Sequence, residues 1–137
     1  MKNRHLTLVT LAAAAALGAC TAPPGSPYAA AYALYQTDTK MPTEYTRPAW
    51  VWKIDGKEII VGRNDPVTPG MHEVTIGLSG PLGTNNTASD TIRLDTKPCT
   101  RYYFSSRRST NASNDWKAYV SGTEEIKECS TQLGKGA

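Results

Sequence analysis

The residues of this 137-residue chain with chemistry to offer are few. They are Cys20, Cys99 and Cys129, His72, and the aromatics Trp50, Trp52, Trp116, Tyr102 and Tyr103. A hydrolase needs a nucleophile, a base and an oxyanion site held together. The sequence carries no Gly-x-Ser-x-Gly elbow, no His-Glu-x-x-His helix and no phosphate-cradling glycine loop. Glu124 and Glu125 are neighbours, and neighbours on a strand face opposite ways, so they do not make a glycosidase pair. Cys99 and Cys129, with His72 as a third donor, form an incomplete zinc set without paired spacing. No catalytic residue, no metal and no cofactor is therefore expected, and a hydrolase is the weakest of the functional alternatives. The aromatics offer stacking on sugar rings or on a partner protein. Trp50 and Trp52 keep step with Ile54, however, and Trp116 with Val120, which predicts that most of them fill a core. Tyr103 is out of phase with Tyr102 and Phe104 and is the better candidate for an exposed contact. The candidate contact residues are Trp50, Tyr103, Arg107 and Arg108. Arg101, Arg107 and Arg108 are the local basic cluster, expected as a solvated loop edge, with phosphate or lipid-headgroup contact as the alternative.

The amino terminus is an address. Lys2 and Arg4 precede Leu6 to Leu17, a stretch without charge. A helix of that length rises only about 18 Å, well short of a bilayer core, which fits the apolar region of an export signal. Leu17-Gly18-Ala19-Cys20 resembles the lipobox of bacterial lipoproteins. That resemblance implies a diacylglyceryl group on the Cys20 thiol, cleavage after residue 19 and acylation of the new amino group. Three acyl chains exceed the two signals that suffice for stable attachment. Thr21 and Ala22 lack the Asp that favours inner-membrane retention in enteric lipoproteins. The expectation is a lipid anchor in the outer membrane, with the domain facing the periplasm.

Removing 19 of the 137 residues leaves 118. With Lys2 and Arg4 gone, 13 basic residues face 12 acidic ones, a formal charge of +1. Nucleic-acid binding needs clustered positive charge, and a near-neutral surface excludes it as a prediction. Once Cys20 is assigned to lipid, Cys99 and Cys129 become an even pair in an oxidising compartment, and a disulfide is expected. It would close a loop of about 31 residues and stabilise the domain by roughly 3–4 kcal/mol.

The elements that position these residues read as strands. Residues 20–48 form a lipidated, Pro/Ala/Tyr-rich linker, with Pro23-Pro24-Gly25-Ser26-Pro27 as spacer. Within it, 31–37 is either a first strand or, through Tyr28, Tyr32 and Tyr35, part of a short helix; Tyr and Thr favour the strand. From residue 49 the hydrophobic period is two. Asp55-Gly56 signals a hairpin with a return strand over 58–61. Further strands are expected over 74–78, 90–95, 100–106, 116–120 and 124–129, with loops at 80–87 and 109–115. Residues 49–131 form the domain and 132–137 a disordered tail. The fold class is all-β, a single antiparallel β-sandwich of six or seven short strands.

Val51-Trp52-Lys53-Ile54-Asp55-Gly56-Lys57, then Pro69-Gly70-Met71-His72-Glu73-Val74-Thr75-Ile76, resemble the PEGA-type surface-layer β-sandwich. In that pattern a strand ends in an Ile-Asp-Gly-Lys hairpin and a Pro-Gly-x-His-x-Val turn enters the next strand. The resemblance implies a structural role for His72, bonding a neighbouring carbonyl. Cys99, Arg101, Tyr102, Tyr103, Trp116, Glu124 or Glu125, Ile126 and Cys129 are similar to a pattern in small proteobacterial envelope lipoproteins of unassigned activity. The functional expectation is a non-catalytic binding or scaffold module of the envelope. Its partners would be the membrane through the anchor and an envelope protein or glycan, with glycan binding through exposed aromatics as the alternative. Oligomeric state is left open.

Overall fold

The computed structural model of the protein describes residues 26–40, 43–78, 88–110 and 115–134. Cys20, the signal region, the expected 80–87 loop and residues 135–137 lie outside the described residues. Among the described residues, seven strands and one short helix follow in order. They are β1 (Leu34–Thr37), β2 (Thr46–Ile54), β3 (Lys57–Glu58), β4 (Gly70–Leu78), β5 (Ser89–Thr96), β6 (Thr100–Arg107), β7 (Lys117–Glu125) and α1 (Lys127–Gly134). The all-β fold is the one the sequence implies, and of the two readings of 31–37 the strand is the one adopted.

One sheet makes both layers because β2 changes partners along its length. Thr46 to Pro48 pair with β6, whereas Ala49 to Ile54 pair with β4. β4 pairs in turn with β5 through eight residue pairs, from Gly70↔Thr96 to Gly77↔Ser89. β6 carries β7 along its other edge. The two halves fold over a shared core of Tyr35, Ala49, Val51, Val74, Ile76, Leu78, Tyr102, Phe104, Trp116 and Ala118. Where the ends of the sheet meet, the Asp90 carboxylate on β5 accepts the Ala118 N–H of β7 at 2.9 Å. β1 is the exception to antiparallel pairing. It runs parallel to β6, from Leu34↔Arg101 to Thr37↔Phe104. The packed chain therefore starts well before residue 49, at buried Tyr32 and Ala33.

The hairpin after β2 follows directly from residue type. Asp55 and Gly56 have φ of 51° and 77°, left-handed at both positions. They close a two-residue hairpin between paired Ile54 and Lys57, which is the turn an Asp-Gly dipeptide favours. The return strand is only two residues long, because Ile59 leaves the ladder after donating its N–H to the Trp52 carbonyl. A bulge then falls at Trp52, where the register moves from Val51↔Ile76 to Lys53↔Thr75.

The carboxyl-terminal segment differs from expectation. Residues 117–125 form one long strand, and the expected strand over 124–129 is instead the end of β7 followed by α1. The helix runs to Gly134, past the point where a disordered tail was expected to begin. Cys129 on this helix is bonded to Cys99, so the expected disulfide pair is present. A second core of Tyr32, Leu34, Cys99, Ile126 and Cys129 gathers around it.

Candidate functional site

The short segment after β1 separates two recesses, and the sequence-based candidates Trp50 and Tyr103 fall one on each side. The first recess, about 230 Å³, is lined by Trp50, Gln36, Thr37 and Asn64, with Ile59 and Val61 supplying apolar wall. The second is lined by Tyr103, Asp38, Thr39, Lys40, Gly122 and Thr123. Thr39 borders both.

Trp50 is half-buried and sits outside the main core, contrary to the expectation from its step with Ile54. The bulge is the cause. A single extra residue reverses which face each side chain occupies, so Val51 and Ile54 both face inward although three positions separate them. Trp50 pairs directly with Gly77 of β4. A Cβ built on Gly77 would come under 3.0 Å from three atoms of the indole. The missing side chain thus makes room for the Trp50 ring over Gly77. Trp116, by contrast, is buried as expected.

Tyr103 is partly exposed and lies opposite Gly122. Its hydroxyl donates to Glu124 Oε2 at 2.6 Å, and Arg101 Nη1 reaches the same oxygen at 3.1 Å. The Tyr103 hydrogen bond first, then Arg101, hold the Glu124 carboxyl below its ordinary range. Arg107 is exposed and stacks on Tyr119 at 5.1 Å. Arg108 lies over Trp116 at 5.2 Å, beside Arg47 at 4.6 Å, and its Nε donates to the Glu44 carbonyl. These guanidinium groups hold aromatic rings and a backbone turn, a more specific role than a solvated loop edge.

Asp38 carried no signal in the sequence and is a largely buried residue at the edge of the second recess. Its N–H extends the β1–β6 ladder to Phe104 O. Its carboxylate accepts the Lys40 N–H at 3.0 Å and the Ser105 hydroxyl at 3.3 Å. Burial opposes its ionisation, but hydrogen bonds from Ser121, the Lys40 amide and Ser105, with the charge of Lys40, outweigh burial and hold it below its ordinary value. With its oxygens taken by protein donors, Asp38 positions the segment between the recesses.

His72 is built into the strand entry as the sequence pattern implies. Its Nε2–H donates to the Thr68 carbonyl and its Nδ1–H to Asp55 Oδ2, each at 2.7 Å. Asp55 also accepts the Glu73 N–H at 2.9 Å. Both ring nitrogens face acceptors only, so the ring is fully satisfied as imidazolium. Burial disfavours that charge, but the bonds to Asp55 and Thr68 and the carboxylate charge outweigh it and raise the His72 pKa above its usual value. A raised folded-state pKa stabilises fully below the unfolded value near 6.5, and the contribution is lost as pH rises through the folded value. Asp55, held below its ordinary value by the Glu73 amide and His72, adds stability above the unfolded carboxyl pKa that is lost as pH falls. The pair is expected to contribute most between about pH 4 and 6.5. Melting the protein from pH 5.5 to 8.5 should show a falling midpoint in wild type and a flatter profile in His72→Gln. Identical slopes would refute the ion pair.

Among the described residues no three His, Cys, Asp or Glu side chains come together as a metal site. No described helix is long and apolar enough to cross a membrane. No protein-family model, curated protein or solved structure matches the chain. What the fold and the recesses define is a small all-β domain with a disulfide-bonded carboxyl-terminal helix.

Proposed function

We propose that the chain is an outer-membrane lipoprotein, anchored through acylated Cys20, whose β domain is a non-catalytic binding or scaffold module of the periplasm. The observation that carries the binding role is the Trp50 recess: an indole laid on Gly77, beside the side chains of Gln36, Thr37 and Asn64. An aromatic face next to amide and hydroxyl groups suits a sugar ring, and this favours an envelope glycan as the ligand over a peptide. His72 supports the non-catalytic reading, because Asp55 and Thr68 occupy both of its nitrogens. The anchor rests on the charged, apolar and small-residue pattern ending at Cys20.

Two measurements test the two halves of the proposal. Cys20→Ser is expected to remove palmitate labelling and release the protein into the soluble periplasmic fraction; membrane retention without change would sink the anchor. A glycan array probed with wild type and Trp50→Ala tests the module. Glycan signal lost in Trp50→Ala supports it, whereas turnover of a hydrolase substrate that His72→Ala abolishes would replace it with an enzyme.

A further inference from the structure

The loop after β3 exposes aliphatic side chains where water would select polar ones. Arg63 N–H donates to Ile60 O at 3.0 Å, closing a β-turn, and Gly62 takes the left-handed conformation at φ 83°. Turn corners favour Gly, Pro, Asn, Asp and Ser. Here Ile60 and Val61 lead the turn and are 62% and 55% exposed. The ions on either side of the turn are paired: Arg63 with Asp65 at 2.7 Å and Glu58 with Lys53 at 3.6 Å. The tip is therefore apolar and close to neutral.

The chain that leads to the proposed anchor arrives beside this turn. Ser26 and Ala29 close a turn of their own, and the Tyr28 ring packs edge-on against Tyr32 with centroids 5.0 Å apart. The Tyr28 hydroxyl donates to the Asn64 carbonyl at 3.0 Å, next to the 60–63 turn. Tyr28 is itself partly exposed. Six peptide steps separate Cys20 from Ser26, a reach of at most about 20 Å. That is less than the width of a domain of this size, whose radius of gyration is about 13 Å.

We propose that the Ile60–Arg63 turn docks into the phospholipid surface that holds the Cys20 anchor, with Tyr28 at the headgroup level. The inference rests on the lipid-anchor reading, since the short tether is what keeps the turn at the membrane. The acyl chains supply the affinity, and the turn sets the orientation. An aliphatic tip sinks into the headgroup–acyl boundary, where amphipathic tyrosine is also favoured. Seated this way, the domain holds a defined side toward the bilayer instead of swinging on its linker.

The test uses the acylated mature protein with Ile60→Cys, the turn position that does not line the Trp50 recess, labelled with a bimane fluorophore, in phosphatidylethanolamine–phosphatidylglycerol vesicles carrying a lipid-borne quencher. Ile60→Cys introduces a thiol beside an acylated Cys20 and a bonded Cys99–Cys129 pair, so labelling is selective. The expected result is quenching several-fold stronger than for the same label at Met71→Cys, an exposed position on β4, and its loss when Val61→Asp is added. Equal quenching at the two positions would overturn the docking. So would label shielding that scales with protein density and ignores the quencher, which would assign the turn to a second copy of the chain. Mass spectrometry of the same sample separates the two readings. An unacylated Cys20 removes the tether and sinks both, whereas acylated Cys20 without quenching sinks the turn alone.

Discussion

Replacing Cys99 and Cys129 together with serine is expected to cost about 3–4 kcal/mol, the entropy of opening a loop of roughly 31 residues. For a domain of this size that lowers the melting temperature by about 10 °C or more. The structure gives the effect a location. Cys99 sits at φ 52° in the turn before β6, and its backbone bonds in two directions: its N–H donates to Tyr32 O, and its carbonyl accepts the Ile126 N–H. The sulfur adds the link to Cys129 on α1. The entry to β1, the β5–β6 turn and α1 therefore meet at one residue. An eight-residue helix has little stability of its own and depends on this attachment. Amide exchange should accelerate first over residues 127–134 and around Tyr32. A melt unchanged by reductant, together with uniform exchange, would show that the bond carries no load.

Gly77→Val is expected to destabilise the protein by about 2–3 kcal/mol through overpacking, although valine suits a strand. The backbone at Gly77 is ordinary strand, so the space taken by Trp50 is what opposes a side chain. The valine methyl groups would lift the indole off the sheet and empty one wall of the recess. Denaturation of Gly77→Val, Trp50→Ala and the double variant decides the matter. If the two residues act as a pair, the double variant is more stable than the sum of the single losses predicts. Strict additivity would show that the indole does not depend on the glycine. A glycan ligand of the Trp50 recess should lose affinity in Gly77→Val even at temperatures where the variant stays folded.

Local chemistry made several elements legible. The Asp55-Gly56 turn follows from two residues that tolerate left-handed φ. β4 follows from Val74, Ile76 and Leu78 at period two, and all three are buried. The Cys99–Cys129 pair followed from counting cysteines once Cys20 was set aside. The failures have an equally physical source. Trp50 and Trp52 keep the same parity as Ile54, but the bulge at Trp52 reverses the parity within the strand. Periodicity assumes an unbroken ladder and carries no mark of a bulge. Residues 124–129 contain Glu, Ile and Lys with no decisive period, and their change from strand to helix depends on Ile126 and Cys129 both reaching the second core.

Asp38 and the recesses belong to the same class of information. Nothing in Gln36-Thr37-Asp38-Thr39-Lys40 announces a buried carboxylate. It becomes one because β1 runs parallel to β6, which brings Ser105 and Phe104, more than sixty positions along the chain, against it.

By itself the sequence determined the all-β class, the tight Asp-Gly hairpin and the pairing of two cysteines. Each of these depends on residue type and short spacing, which are local properties. The tertiary structure alone decided which face Trp50 occupies, how β2 serves both halves of the sheet and which groups surround Asp38. Those depend on register and on contacts between distant segments, and a shift of one residue in pairing changes every one of them.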